Sequence, residues 1–388
     1  MQHNQRYLWF DLIRGLSAFA VCAGHLRAAV FQDYTHHGGS PLWQAFYFAT
    51  GLGHQAVMVF FVLSGFFVGG SVLKKGPAFD WSDYAVTRLT RLWTVLLPAL
   101  AVTAATDLVT HTVNPQAIAG GFAAIWHSGP GPGEFALDLK TWLANVCFLQ
   151  TITSPVFGTN GPLWSLANEF WYYLMFPLGA IAIGWCGRVQ GVRRLLPAAL
   201  ALGCLAWLPA GMSESYLIWL FGVAVWFVAT RRWIGRGAPA IAWAGLALFL
   251  AALVASKRPG LSGPHVPIDF LIGAGFAVLA AGLASLPGRH AWPRPVAAMA
   301  SGLSEFSYSL YLVHFPIVML IGAGVYRDRP LAPGAVALAE YAGWLALLLA
   351  VGAGFWWLFE RRTPDVRRYV WAAFARTAPA RPVVRSSP

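Results

Sequence analysis

The sequence predicts an all-α, polytopic integral membrane protein with about ten transmembrane helices and both termini cytoplasmic. Composition is the first reason. The 388 residues are 57% hydrophobic and 11% charged, against about 25% charged in a typical soluble domain, and the mean hydropathy is +0.57. Segmentation is the second. Apolar stretches near the roughly 20 residues that a spanning helix needs occupy about 8–31, 50–73, 89–109, 162–185, 195–212, 215–230, 238–255, 268–286, 304–325 and 335–358. Charge placement is the third. With a cytoplasmic N-terminus, 20 of the 27 Lys and Arg fall on the inner side, six fall outside, and Arg14 lies within a helix. That is the positive-inside asymmetry of membrane proteins.

The first segment, LWFDLIRGLSAFAVCAGHLRAAVF, carries Arg14 and His25, although ionisable groups at membrane depth cost about 2.5 kcal/mol or more and are kept where a cavity or partner receives them. Eleven residues at 100° each leave a net rotation of about 20°, so both side chains share one helix face about 16 Å apart. A purely structural reading pairs Arg14 with Asp11, one turn back, and His25 with a neighbouring helix. The second segment contains FFVLSGFFVGG, whose small residues permit close helix packing, with Ser64 as a weaker site candidate. Arg88 and Arg91, three residues apart at the mouth of the third segment, are neighbours on a helix surface and suit convergence on one phosphate. The positive-inside rule alone also accounts for them.

The stretch 110–161 is the longest polar interruption and is predicted to be an extracytoplasmic loop. It holds HSGPGPGEF and LKTWLANVCFLQT, the latter long enough for an amphipathic surface helix. A loop of this length suggests a lid or an acceptor-binding surface. The fourth segment opens with NGPLWSLANEFWYYLMFP, placing Glu169 about seven residues below the outer end, with Ser165 and Tyr172 on its face and Asn168 adjacent. His25 lies at nearly the same depth, so a contact between the two helices would make a His–Glu pair. Four further apolar segments follow, all of them short of 20 residues. The ninth contains SYSLYLVHFP, in which Ser307, Tyr311 and His314 share a face within about 40° of arc and His314 falls near mid-membrane.

The membrane domain is expected to span 1–370, and 371–388 (ending ARTAPARPVVRSSP) is expected to be a disordered cytoplasmic tail. MQHNQRY leads into a full-length segment and is read as retained rather than as a signal peptide, and no soluble domain is expected. The net charge of +12 follows topology rather than a nucleic-acid footprint. Cys22, Cys147, Cys186 and Cys204 follow no metal-ligand spacing, and Cys147 has no evident disulfide partner, so no metal is expected.

DLIRGLSAFAVCAGH, FFVLSGFF, RLTR, GPLWSLANEFWYY and SYSLYLVHFP follow the order and spacing of the membrane acyltransferase 3 family, and the chain resembles O-antigen and exopolysaccharide O-acetyltransferases from about residue 5 to 360. Each motif alone is weak; five in order are not. The resemblance implies an acyl group, acetyl by default, moved from cytoplasmic acyl-CoA to a hydroxyl of a cell-surface or lipid-linked glycan. It implies a multi-pass protein of the cell inner (plasma) membrane, working beside polysaccharide-assembly proteins. Arg14, Arg88 and Arg91 are then expected to bind the acyl-CoA phosphates, and His25 and Glu169 to be catalytic, with Glu169 orienting His25. Trp164, Ser165, Asn168, Tyr172, Ser307, Tyr311, His314 and Ser64 are expected to bind substrate or support the site. Direct transfer and an acyl-enzyme both remain open. Many relatives carry an SGNH hydrolase-like domain that this chain lacks. A proton-coupled secondary transporter is the competing class, since ten helices with intramembrane Arg, His and Glu suit it too. A membrane sensor or scaffold is the third.

Overall fold

The computed structural model describes residues 7–34, 40–121, 129–258, 266–286, 292–327 and 329–377. Among them the chain is helical, and the sole β contacts are two isolated bridges, Phe31 with Leu331 and Gln150 with Ser154. The helices in order are α1 Leu8–Val30, α2 Pro41–Thr50, α3 Gly53–Ala78, α4 Trp81–Val113, α5 Leu139–Val146, α6 Leu163–Ala182, α7 Leu195–Trp207, α8 Ala210–Arg231, α9 Ala238–Ala255, α10 Val266–Ser285, α11 Arg294–Glu305, α12 Ser307–Ile321, α13 Ala335–Leu358 and α14 Thr363–Thr377. One-turn helical pieces fill several of the junctions.

Seven of the ten predicted segments form helices long and apolar enough to cross a membrane: α3, α4, α8, the α9 and α10 stretches, α12 with its extension to Tyr326, and α13 continuing into α14. The other three are helical but fall short for identifiable reasons. α7 has 13 residues, about 20 Å at 1.5 Å per residue. α1 and α6 have 23 and 20, yet carry Asp11, Arg14, His25 and Arg27 in one and Asn168 and Glu169 in the other. The third segment is longer than predicted, 33 residues, because Asp80 accepts a hydrogen bond from the Asp83 N–H at 2.8 Å and starts the helix early, as an N-cap carboxylate does.

Within 110–161 the LKTWLANV stretch folds as α5. The Asp138 side chain caps it, accepting from Thr141 N at 3.0 Å and Thr141 Oγ1 at 2.7 Å. Those bonds, the backbone one foremost, hold the Asp138 carboxyl below its ordinary range. The indole of Trp93 donates to the Val146 carbonyl at 2.9 Å and ties the end of α5 to α4. At the other end of the chain α14 runs seven residues past the predicted domain end at 370, because VWAAFAR is a helix-favouring run. Residues 378–388 lie outside the described residues.

α1 is enclosed by α3, α11, α12 and α13. Small residues set how closely they approach, as the FFVLSGFFVGG pattern predicts. A Cβ on Gly65 of α3 would overlap the Trp219 carbonyl of α8, and one on Gly222 of α8 would overlap the Val62 carbonyl of α3. A Cβ on Gly15 of α1 would stand 2.6 Å from Leu303 Cβ and 3.2 Å from Ser304 N, so glycine there brings α11 against α1. α3 is not uniform: Gly65–Gly69 form a π-helical turn, a feature common at functional sites, and it follows Ser64 directly.

Candidate active site

Two chambers meet inside the bundle. The first, about 740 Å³, is lined by Arg14, Arg88, Arg91, Arg361 and Arg367 among others, and is here called the basic chamber. The second, about 350 Å³, is lined by His25, Arg27, His54 and Trp164 among others, and is the histidine chamber. Val57 and Tyr311 line both. Arg14 and His25, predicted on one face of α1, therefore open into different spaces.

In the basic chamber the cations are held by their neighbours. Arg14 donates through Nε to Ser304 Oγ at 2.7 Å, and its Nη2 stands 3.4 Å from Asp11 Oδ1. The predicted Asp11 partner is real, and Ser304 joins it, itself donating to Asp11 at 3.0 Å. Arg91 faces Glu360 at 3.9 Å and lies over the Tyr308 ring at 5.7 Å. Arg88 reaches Ser71 Oγ at 3.3 Å and lies over the rings of Tyr84 and Tyr173. Glu360, buried where α13 ends, accepts from Ser309 N at 3.1 Å and Ser309 Oγ at 2.6 Å. It thus caps the first turn of α12, where unpaired N–H groups favour a carboxylate, and links that helix to Arg91.

Glu169 also lies in the basic chamber. It accepts from Ser64 Oγ at 2.8 Å and from the Tyr173 hydroxyl, while the Trp219 indole donates to Ser64 at 3.1 Å. The His25–Glu169 pair expected from equal depth does not form. His25 Nδ1 instead stands 2.9 Å from His314 Nε2. His314 Nδ1 lies 3.0 Å from the Leu310 carbonyl and 2.9 Å from the Tyr311 carbonyl.

That chain of contacts selects the tautomers. A carbonyl oxygen only accepts, so His314 Nδ1 carries the proton; its Nε2 is then a lone pair in the neutral ring and accepts from His25 Nδ1–H. The Nε2 of His25, a residue of the chamber wall, is left as a lone pair. Phe315 packs edge-on against the His25 ring at 4.7 Å between centroids and limits its rotation.

Between the chambers stands a hydroxyl cluster. Tyr311 OH is 2.6 Å from Ser165 Oγ and donates to the Pro162 carbonyl at 3.1 Å, and the ring packs edge-on against Phe60 at 5.9 Å. The sequence explains how the Asn160–Pro162 turn is fixed there. Pro316 has no N–H for the Leu312 carbonyl four residues back, and Asn160 Nδ2 supplies a donor at 2.9 Å. Asn160 also donates to Thr103 Oγ1 on α4 at 3.0 Å.

Of the remaining predicted residues, Trp164 lines the histidine chamber and Ser64, Ser165 and Ser307 the basic chamber. Ser307 donates to the Ser304 carbonyl at 2.7 Å. Asn168 and Tyr172 are buried and line neither chamber. The Tyr172 hydroxyl donates to the Met212 carbonyl at 2.7 Å and its ring packs on Phe61, Tyr216 and Trp219, so it belongs to the α6–α8 packing. Sequence reasoning missed Ser304, Glu360 and Tyr173. It also missed His54, whose Nε2 is 2.9 Å from Asp269 Oδ2 and whose ring stacks on Trp164 at 6.2 Å.

A family model described as an acyltransferase domain matches residues 7–361. The chain belongs to the acyltransferase 3 family. It is similar to acyltransferase MdmB of Streptomyces mycarofaciens, 26% identical over 85% of this chain and 85% of that one. It is also similar to nodulation protein 10 of Rhizobium leguminosarum bv. viciae, 25% identical over 80% and 82%. No solved structure matches. The acyltransferase is thus a multi-pass membrane enzyme, and both chambers are built within the matched region.

Proposed function

We propose that this enzyme is an O-acyltransferase that takes an acyl group, acetyl by default, from acyl-CoA in the basic chamber and transfers it to a hydroxyl of a glycan in the histidine chamber. The observation that carries the reading is the His314–His25 relay, which leaves an unprotonated Nε2 on a residue lining a chamber that shares walls with one lined by arginines. Acyl-CoA presents a pyrophosphate and a 3′-phosphate, and Arg88, Arg91 and Arg14 supply the forked donors such groups require. A cytoplasmic source of acyl-CoA and the positive-inside charge map both support a basic chamber that opens to the cytoplasmic face of the inner membrane.

A hydroxyl is a poor nucleophile at neutral pH. His25 Nε2 accepts its proton as the oxygen attacks the thioester carbonyl, a contribution of typically 10²–10⁴-fold. Collapse of the tetrahedral adduct breaks the C–S bond, and the imidazolium returns the proton to the departing thiolate. His314 orients the base, the role expected of Glu169. Glu169, between the arginine mouth and the Ser165–Tyr311 cluster, is positioned to accept from amide N–H groups of the pantetheine arm. The arm's length is comparable to the roughly 16 Å that eleven helical residues put between Arg14 and His25. Purified protein in lipid vesicles with acetyl-CoA and a glycan acceptor tests the reading. Acceptor-dependent release of free thiol, absent in His25→Ala, is expected; acceptor uptake without thiol release refutes it and points to a carrier.

A further inference from the structure

We propose that Arg27 and Lys257 form an anion-binding subsite at the histidine chamber, so that the acceptor hydroxyl compound carries a carboxylate or phosphate beside the hydroxyl that is acylated. The inference rests on reading that chamber as the acceptor site. Three of the chamber arginines have a polar side chain of the protein against them: Arg14 has Asp11 and Ser304, Arg91 has Glu360, and Arg88 has Ser71. Arg27 does not. Its guanidinium lies over the Tyr47 ring at 5.1 Å, and its Nε is buried without a hydrogen-bond partner. Asp33 acts on it through space, with no ion pair between them among the described residues.

Lys257 is the second cation. Its ammonium donates to the carbonyl of Gly51, itself a wall residue of the histidine chamber. Partial burial and then the nearby Arg27 push the Lys257 ammonium below its ordinary value. Two positive groups at one stretch of chamber wall, Arg27 lining it and Lys257 bonded to Gly51 of it, with no carboxylate in contact with either among the described residues, leave a site that an anion completes. Trp164, on the wall of the same chamber, offers a flat apolar face for the body of such an acceptor.

The test is equilibrium binding of radiolabelled glucuronate, glucose 1-phosphate and glucose to the full chain in nanodiscs of zwitterionic lipid. At least one anionic sugar is expected to bind about tenfold or more tightly than glucose, the scale of one charge-assisted hydrogen bond. Arg27→Gln and Lys257→Gln should each erase that preference, and Arg27→Lys should keep part of it. Comparison of the two anionic sugars separates a carboxylate from a phosphate. Equal binding of all three sugars, no detectable binding of either anion, or a preference that survives Arg27→Gln overturns the inference. Arg27-dependent anion binding without thiol release from acyl-CoA would leave the subsite standing and refute acyl transfer. Thiol release to neutral acceptors with no anion preference would do the reverse.

Discussion

His314 is the residue whose removal most directly tests the relay. It offers His25 one acceptor, at 2.9 Å, and is itself anchored by two backbone carbonyls at 3.0 and 2.9 Å. In His314→Ala the Nδ1–H of His25 loses its acceptor, and a buried donor left unpaired costs about 1–3 kcal/mol, roughly 5- to 150-fold in the population of the competent ring. The ring is also free to take the other tautomer, whose Nε2 holds a proton and cannot accept one. The expected fall in kcat is therefore about 10- to 100-fold or more, bounded above by the roughly 10⁴-fold that general-base catalysis contributes.

His314→Gln supplies the control, because a side-chain amide oxygen can accept from His25 Nδ1–H and should recover kcat to within about tenfold of the native enzyme. His314 is 1% exposed, so thermal stability of both variants is read by size-exclusion chromatography after heating, separately from thiol release. Well-folded His314→Ala with more than a third of native kcat would refute the relay. So would His314→Gln no better than His314→Ala.

Other substitutions separate the parts of the site. Arg88→Gln should raise KM for acyl-CoA about tenfold with kcat little changed, as expected for a residue that binds donor equally in ground and transition states; a selective fall in kcat would contradict the donor assignment. Val57 walls both chambers, so Val57→Ala should extend use of longer acyl-CoA donors and Val57→Phe should restrict the enzyme to acetyl, checked with acetyl-, butyryl- and hexanoyl-CoA. Gly222→Ala should cost about 1–3 kcal/mol through overpacking against the Val62 carbonyl, read as an earlier thermal transition. The same change at Gly179, which has nothing within 4 Å of the Cβ position, should not destabilise through overpacking.

Much of the fold was legible because bilayer thickness turns composition into length: the seven apolar helices answer to predicted segments. The pairing of Arg14 with Asp11 and the close packing of the glycine-bearing helix were legible because helical period is a local property. Partner identity was not. Equal depth placed His25 and Glu169 at one level, but depth says nothing about which way two helices face each other, and α1 meets α12 where α6 was expected. The π-helical turn after Ser64 alters the register of α3 in a way no 3.6-residue count anticipates. Glu360 falls just past the last apolar run, 335–358, and its capping of α12 emerges only from the fold.

The position of Tyr311 makes a different demand on the chemistry. An acyl-CoA thioester held beside a histidine base can lose its acyl group to water, so a continuous aqueous path from the basic chamber to the far side would waste donor before the acceptor arrived. Tyr311 lines both chambers, yet its hydroxyl is engaged with Ser165 at 2.6 Å and the Pro162 carbonyl at 3.1 Å. Its ring divides the spaces while its oxygen is held by the protein, which argues for a partition rather than an acid or base. Tyr311→Phe should therefore retain transfer within about tenfold, losing one or two hydrogen bonds of about 1 kcal/mol net each. Tyr311→Ala should open the partition, so that thiol release without acceptor rises while acylated product falls. The ratio of thiol released to product formed reads this directly, near one in the native enzyme and in Tyr311→Phe and well above one in Tyr311→Ala. If Tyr311→Phe is as inactive as His25→Ala while remaining folded, the hydroxyl takes part in the reaction and the partition argument fails.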